Sequence, residues 1–254
     1  MGELMTSKPY FSKELFDFLR DLKRHNRREW FVKNKDRYEV FVKFPLLGFI
    51  GSFGPSLRTI SPSFTADTRT MGGSMFRIYR DTRFSKDKTP YKTHAAAQFR
   101  HRVGKDVHAP GFYLHLEPGG VFAGGGLWRP ESQVAGQVRD AMASRGEEWN
   151  QIMKNRVFKE TCSFEGEKLM RPPQGFNKDH PMIEWLKYKD FTFFTKFTEK
   201  EACSGGFMEK VTSSFKAASP LMRFLTLAME LDYDIPQGAK AKMESWGKRD
   251  GEFQ

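Results

Sequence analysis

Residues 111–128 read GFYLHLEPGGVFAGGGLW, and the fold class turns on how this stretch is parsed. Phe112, Leu114 and Leu116 alternate with Tyr113, His115 and Glu117, the period of two that gives a strand two different faces. Glu117-Pro118-Gly119-Gly120 supplies a tight reversal before Val121, and the chain then returns as VFAGGGLW, so the stretch predicts a hairpin in an antiparallel meander. Three consecutive glycines, Gly124–Gly126, mark either a bulge or a backbone brought close to a neighbour or ligand. They precede a helix opened by Pro130 and Glu131 and carrying Val134, Val138 and Met142. Backbone donors at a helix N-terminus favour anions, which makes Gly125 a candidate ligand-binding position.

Toward the N-terminus lies the most distinctive stretch, residues 75–94, MFRIYRDTRFSKDKTPYKTH. Met75–Arg80 alternates as a strand would, and Asp81–Pro90 loses periodicity and reads as an ordered surface loop. A further strand is expected over Thr93–Arg102, with small residues at Ala95, Ala96 and Ala97. Arg77, Arg80, Arg83, Lys88 and Lys92 combine forked guanidinium donors with mobile ammonium charges, a set suited to clamping phosphate or carboxylate. The competing reading is a solvated basic edge whose arginines are paired with acids. Asp81 and Asp87 are expected to orient the neighbouring basic groups.

The flanks read as helices. Ser12 fits an N-cap before Leu15, Phe18, Leu19 and Leu22; a second helix begins near Arg28 with Trp30, Phe31, Tyr38 and Phe41 on one face; a third begins at Pro45, with Leu46, Ile50, Phe53, Leu57 and Ile60 at helical spacing. Pro62–Ser74 is polar and reads as a junction. Glu147–Lys154 and Met182–Tyr188 read as short helices, with RPPQGFNKDHP (171–181) irregular between them. Asp179 could orient His180, although adjacent residues of this kind more often cap a turn. FTFFTKF (191–197) reads as a strand, and Gly206–Leu231 as two helices meeting at Ser219 and Pro220. The expected architecture is a single α+β domain over 1–254: a helical part at 10–61, a sheet-bearing part at 74–200, C-terminal helices at 206–231 and a polar tail at 236–254.

The string FRIYRDTRFSKDKTPYKTH resembles the signature of the family catalogued as domain of unknown function 2461. NRREWFVKNKDRYE, GFYLHLEPGGVFAGGGLW and RPPQGFNKDHPMIEWLKYKDF agree with it, so the resemblance spans nearly the whole chain. It implies no activity, substrate or cofactor, and groups residues without assigning them roles.

A net charge of +11 and an isoelectric point near 9.6 favour phosphorylated or polyanionic partners. Cys162 and Cys203 are too few for a disulfide framework, and no charged-then-apolar leader is visible, so a reducing cytoplasm is the expectation. Apolar stretches such as Phe44–Ile50 fall short of the ~20 residues that span a bilayer, and no membrane segment is expected. His94, His101, His108 and His115 recur at intervals of seven, but on a strand this odd period puts His94 and His101 on opposite faces, and no zinc-type spacing occurs. No built-in metal site is expected, no cofactor is named, and neither P-loop nor dinucleotide fingerprint is found.

The functional expectation is a pocket lined by the basic loop, His94, His115 and Trp128 that binds a phosphorylated or carboxylated small molecule. Arg77, Arg80, Arg83, Lys88 and Lys92 would neutralise it, with Tyr79, Tyr91 or Trp128 stacking on a ring. If chemistry follows, His94 or His115 is the proton carrier. The alternative is a nucleic-acid-binding module tracking phosphates with the same basic residues, and a third is a structural or interaction protein.

Overall fold

The computed structural model describes residues 8–103 and 109–236; His108 and most of the expected polar tail lie outside them. The elements in chain order are α1 (Lys13–Arg24), α2 (Arg28–Lys33), α3 (Lys35–Tyr38), a π-helical turn (Glu39–Lys43), α4 (Phe44–Arg58), β1 (Ala95–Arg100), β2 (Gly111–Leu116), β3 (Val121–Leu127), α5 (Ser132–Ser144), α6 (Gly146–Lys154), α7 (Arg156–Thr161), β4 (Ser163–Glu165), α8 (Ile183–Leu186), β5 (Phe191–Phe197), α9 (Glu199–Ala202), α10 (Phe207–Ala217) and α11 (Ser219–Ala228). The strands form one antiparallel sheet in the order β1-β2-β3-β5-β4. With helices before and after it, the fold is α+β.

The alternation in residues 111–117 becomes the two faces of this sheet. Phe112, Leu114 and Leu116 are buried on the side that also carries Ala97, Phe99, Ala123, Phe191 and Phe193. Helices α4, α10 and α11 cover that side. Phe53 of α4 lies 4.8 Å from Phe99, and Phe215 of α10 stacks on Phe112 at 4.5 Å. Burying each such ring contributes roughly 1.5–3 kcal/mol, so the core is a slab of aromatic side chains between sheet and helices. Tyr113, His115, Glu117 and Phe122 point the other way and are only half buried, as expected of an antiparallel sheet covered on one face.

Pro45 lies in the first turn of α4, as the sequence reading has it, but no break precedes it: the helical run is continuous from Lys35 to Arg58. Proline has no N–H to return to the carbonyl four residues back, and its ring crowds that carbonyl. The π turn just before it widens the helix, and the Phe44 N–H bonds to the Glu39 carbonyl five residues back. The resulting 24-residue run is long and apolar enough, by length and composition, to cross a membrane. It is longer than any apolar stretch visible in the sequence. Leu46, Phe49, Ile50, Phe53 and Leu57 of this run are buried in the protein core.

The strand expected over Met75–Arg80 is a shorter structure. Ser74–Phe76 adds to the edge of β1 through Phe76 N–H to Ala96 O (2.9 Å) and Gln98 N–H to Ser74 O (2.8 Å). The chain then leaves β1 and pairs with its own return, Arg80 N–H to Pro90 O and Lys92 N–H to Ile78 O. This basic hairpin is tied to the α1–α2 turn by Asn26, whose side-chain amide exchanges two hydrogen bonds with the Tyr91 backbone at 2.9 and 3.0 Å. No bulge interrupts the β3–β5 pairing, which runs in unbroken register from Val121–Phe197 to Leu127–Phe191.

Candidate functional site

The half-buried face of the sheet gathers its chemistry at one end. His115 pairs with Ala96 of β1, and one step past the Ala95–Leu116 pair His94 comes opposite Glu117. The two imidazoles therefore meet across the strands, with ring centroids 4.5 Å apart. Tyr113 Oη lies 2.9 Å from His115 Nδ1, His115 Nε2 lies 3.2 Å from Glu117 Oε2, and Thr93 Oγ1 donates to Glu117 Oε1 at 3.2 Å. A neutral His115 protonated on Nε2 satisfies the whole chain, because it donates to the carboxylate and accepts from the phenol. The Phe122 ring stacks on His115 at 4.7 Å.

Burial sets the proton affinities here. His94 is pushed down to about 4, first by desolvation and then by the neighbouring His115. His115 also moves down by desolvation, against the pull of Glu117. Tyr113 is pushed up to about 12 by burial and by the Glu117 charge. At neutral pH both histidines are uncharged and the phenol keeps its proton. Donor atoms of His94, His115 and Glu117 all lie within 4.8 Å of one another, close enough to hold a metal ion. Spacing along the chain does not reveal this set, which forms across strands.

The basic hairpin divides into engaged and free cations. Arg80 bonds to Asp87 and Thr89; Arg83 forks onto Asp81 at 2.7 and 3.0 Å; Lys88 Nζ donates to the Thr82 carbonyl at 2.9 Å. Asp81, held by Arg83, and Asp87, held by the Thr89 N–H and Arg80, are both drawn down to about 2. The two acids orient the basic groups as expected. They also neutralise much of the loop. Arg77 and Lys92, by contrast, make no salt bridge among the described residues. Lys92 Nζ sits 5.1 Å from the Phe76 ring centroid, and burial together with the nearby Arg77 lowers its proton affinity.

Beside Arg77 a cavity of about 270 Å³ opens between the hairpin and the N-terminal helices. Arg77 and Tyr79 line it from one side, and Lys35, Tyr38, Glu39 and Lys43 from the other. Tyr38 is buried, its phenol pushed up to about 12 by desolvation and next by Tyr79, and its hydroxyl has no hydrogen-bond partner among the described residues. Lys43 pairs with Glu39 at 3.5 Å. The sequence does not single out Lys35, Tyr38 and Lys43 as site residues: Tyr38 matches a core helix face, and the π turn that aims Lys43 has no sequence signature. Their one visible signal is a basic residue at each end of KDRYEVFVK (35–43).

Other expected site residues do not join this region. Tyr91 is buried and stacks on Phe31 at 4.1 Å, so its ring belongs to the core and is not free to stack on a ligand. Trp128 follows β3 at the end remote from Phe122 and His115; it is 73 % exposed beneath the Arg129 guanidinium and lines no common pocket with the histidines. Gly125 pairs with Phe112 and Phe193. A Cβ there would meet the Gly111 carbonyl oxygen at 2.7 Å and the Phe193 ring at 3.0 Å, so its bareness serves strand packing rather than ligand approach.

A wider cleft of about 760 Å³ lies at that remote end, among Arg129, Arg139, Phe176, Lys189 and Asp190. Arg139 and Lys189 are engaged there: Arg139 donates to the carbonyls of Leu186 and Tyr188, and Lys189 pairs with Glu167 at 3.1 Å. His180 accepts the Met182 N–H on Nδ1 at 3.0 Å, the turn-capping role expected of it, and among the described residues no hydrogen bond joins Asp179 to its ring. Arg129 in this cleft makes no salt bridge among the described residues and lies over the Trp128 ring, whereas the cavity beside Arg77 brings two such cations, Arg77 and Lys35, to one wall.

No curated protein and no solved structure matches the chain. The model of the conserved hypothetical protein family DUF2461 matches residues 14–224, and the chain belongs to that family.

Proposed function

We propose that the protein binds a small phosphorylated or carboxylated molecule in the cavity between α3, the π turn and the basic hairpin. The observation that carries this reading is the pair of cations, Arg77 and Lys35, which face a 270 Å³ cavity without a salt bridge among the described residues. Glu39 lines the same cavity but is paired with Lys43, so Arg77 and Lys35 leave the wall in cationic excess; such an excess favours an anion, and a guanidinium offers it two parallel donors. Tyr38 adds a phenol that keeps its proton up to about 12 and therefore remains a donor at neutral pH. Tyr79 and Phe31 supply apolar walls for a carbon skeleton. The volume sits below the usual range for drug-sized ligands, roughly 300–1,000 Å³, so the ligand is a small metabolite rather than a dinucleotide. Lys92, close enough to Arg77 to feel its charge, extends the positive wall toward His94.

The nucleic-acid reading draws on the same stretch but is less well supported. Arg80 and Arg83, the guanidiniums that would track a backbone, are already held by Asp87 and Asp81.

A thermal-shift screen against phosphorylated and carboxylated metabolites and short oligonucleotides, at two salt concentrations, tests the proposal. Stabilisation by one metabolite class that disappears in Arg77→Ala is the expected result. A shift with oligonucleotides alone that fades steeply with salt contradicts it.

A further inference from the structure

We propose that His94, His115 and Glu117 form a three-donor site for a divalent transition-metal ion, with coordination positions left open on the half-buried face of the sheet. The inference is independent of the anion cavity beside Arg77.

The geometry comes from the sheet itself. His115 of β2, His94 just before β1 and Glu117 just after β2 come together at one end of the sheet, and their donor atoms fall within 4.8 Å of one another. Donors bound at ~2.0–2.2 Å to one ion stand roughly 3–3.5 Å apart. His115 Nε2 and Glu117 Oε2, at 3.2 Å, already meet that spacing. The His94 ring must close the remaining gap by side-chain rotation. It breaks no hydrogen bond in doing so, because its ring makes none among the described residues; it packs against the His115 ring.

The surroundings of the donors match what a metal requires. A ligating imidazole normally donates its second N–H to a fixed acceptor, which sets the tautomer and the ring plane. With Nε2 on the ion, His115 Nδ1–H would point at Tyr113 Oη, 2.9 Å away. Glu117 is held in the same way: Thr93 Oγ1 bonds to Oε1 and leaves Oε2 toward the histidines. Phe122 stacks behind His115 and stiffens it.

The donor set narrows the ion. Two imidazoles and one carboxylate select against calcium and magnesium, which take oxygen ligands, and suit zinc or ferrous iron. Structural zinc sites close with four protein ligands, whereas three leave room for water or substrate. One carboxylate offsets half the charge of a dication, and Lys92 stands near His94. The open positions therefore favour an anionic exogenous ligand.

The test uses the full chain without a histidine tag, stripped with a chelator and titrated with cobalt(II) and then zinc(II). Expected are one equivalent of cobalt with visible ligand-field bands, displaced by one equivalent of zinc. Glu117→Gln and His115→Gln should each weaken binding at least about 100-fold, and Tyr113→Phe, which removes only an orienting partner, about 10-fold. His25→Gln, an exposed histidine on the α1–α2 turn, should bind as wild type does. Absence of stoichiometric cobalt binding by the wild type overturns the site, whatever the variants do. So does unchanged affinity in Glu117→Gln and His115→Gln.

Discussion

His94 shows how much a single position can report. Its unfolded-state value is near 6.5, and its folded value lies near 4 because the half-buried ring cannot be charged cheaply beside His115. A depressed value means that the unfolded chain takes up the proton first. The neutral-histidine contribution to stability is therefore complete above pH 6.5 and is lost as pH falls through 4. In metal-free protein, the urea midpoint should drop more between pH 7 and 4 for the wild type than for His94→Gln; parallel pH profiles would contradict the assignment. Gly125 makes a second case. Gly125→Ala drives a methyl into the Gly111 carbonyl and should cost about 1–3 kcal/mol by overpacking. Gly136, in the middle of α5, has open space where a methyl would sit, and its replacement by Ala should gain roughly 0.4–1 kcal/mol. Urea unfolding of the two variants checks the contrast.

At the scale of the element, the basic hairpin matters because Tyr91 fastens it to the α1–α2 turn. Asn26 closes both hydrogen-bonding groups of the Tyr91 backbone, and Phe31 stacks on the Tyr91 ring. Asn26→Ala leaves those backbone groups unpaired in a largely buried place and should destabilise by about 1–3 kcal/mol. It should also weaken the anion, since Arg77 and Tyr79 hang on the same hairpin. Chemical denaturation and a binding titration read the two effects separately; loss of stability with unaltered binding would detach the hairpin from the site. The legibility of such elements in the sequence is uneven. The alternation of Phe112, Leu114 and Leu116 announces β2 because its period is local, and the Ser219-Pro220 junction does the same for α11, which begins at Ser219. The π turn before Pro45 has no local marker, so one continuous helix looks like two. His94 and His115 stand out in the sequence as candidate site residues, but Glu117, Tyr113 and Thr93 do not, because their hydrogen bonds depend on strand register. Tyr91 and Trp128 mislead for a related reason: an aromatic looks the same in sequence whether it faces a core, a ligand or solvent.

The whole molecule is an asymmetric slab. Helices α4, α10 and α11 seal one face of the sheet through Phe53, Phe99, Phe112 and Phe215, and the other face carries Tyr113, His115 and Glu117 beside the Phe122 ring. Phe215→Ala should therefore cost about 3–5 kcal/mol while sparing the polar face, so that binding persists at temperatures below a lowered melting point. The charge of the chain is less available than its total of +11 suggests: Arg80 and Arg83 are held within their own loop, whereas Arg77 and Lys35 face one cavity with no salt bridge among the described residues. Calorimetric titration of the most stabilising small anion into wild type, Arg77→Ala and Arg83→Ala measures this distinction directly. Loss of a charged donor is worth roughly 1.5–3 kcal/mol, so Arg77→Ala should weaken binding by about tenfold or more while Arg83→Ala leaves it nearly unchanged. Equal losses in the two variants, or a larger loss in Arg83→Ala, would contradict a site in the cavity and return the basic hairpin to a diffuse electrostatic role.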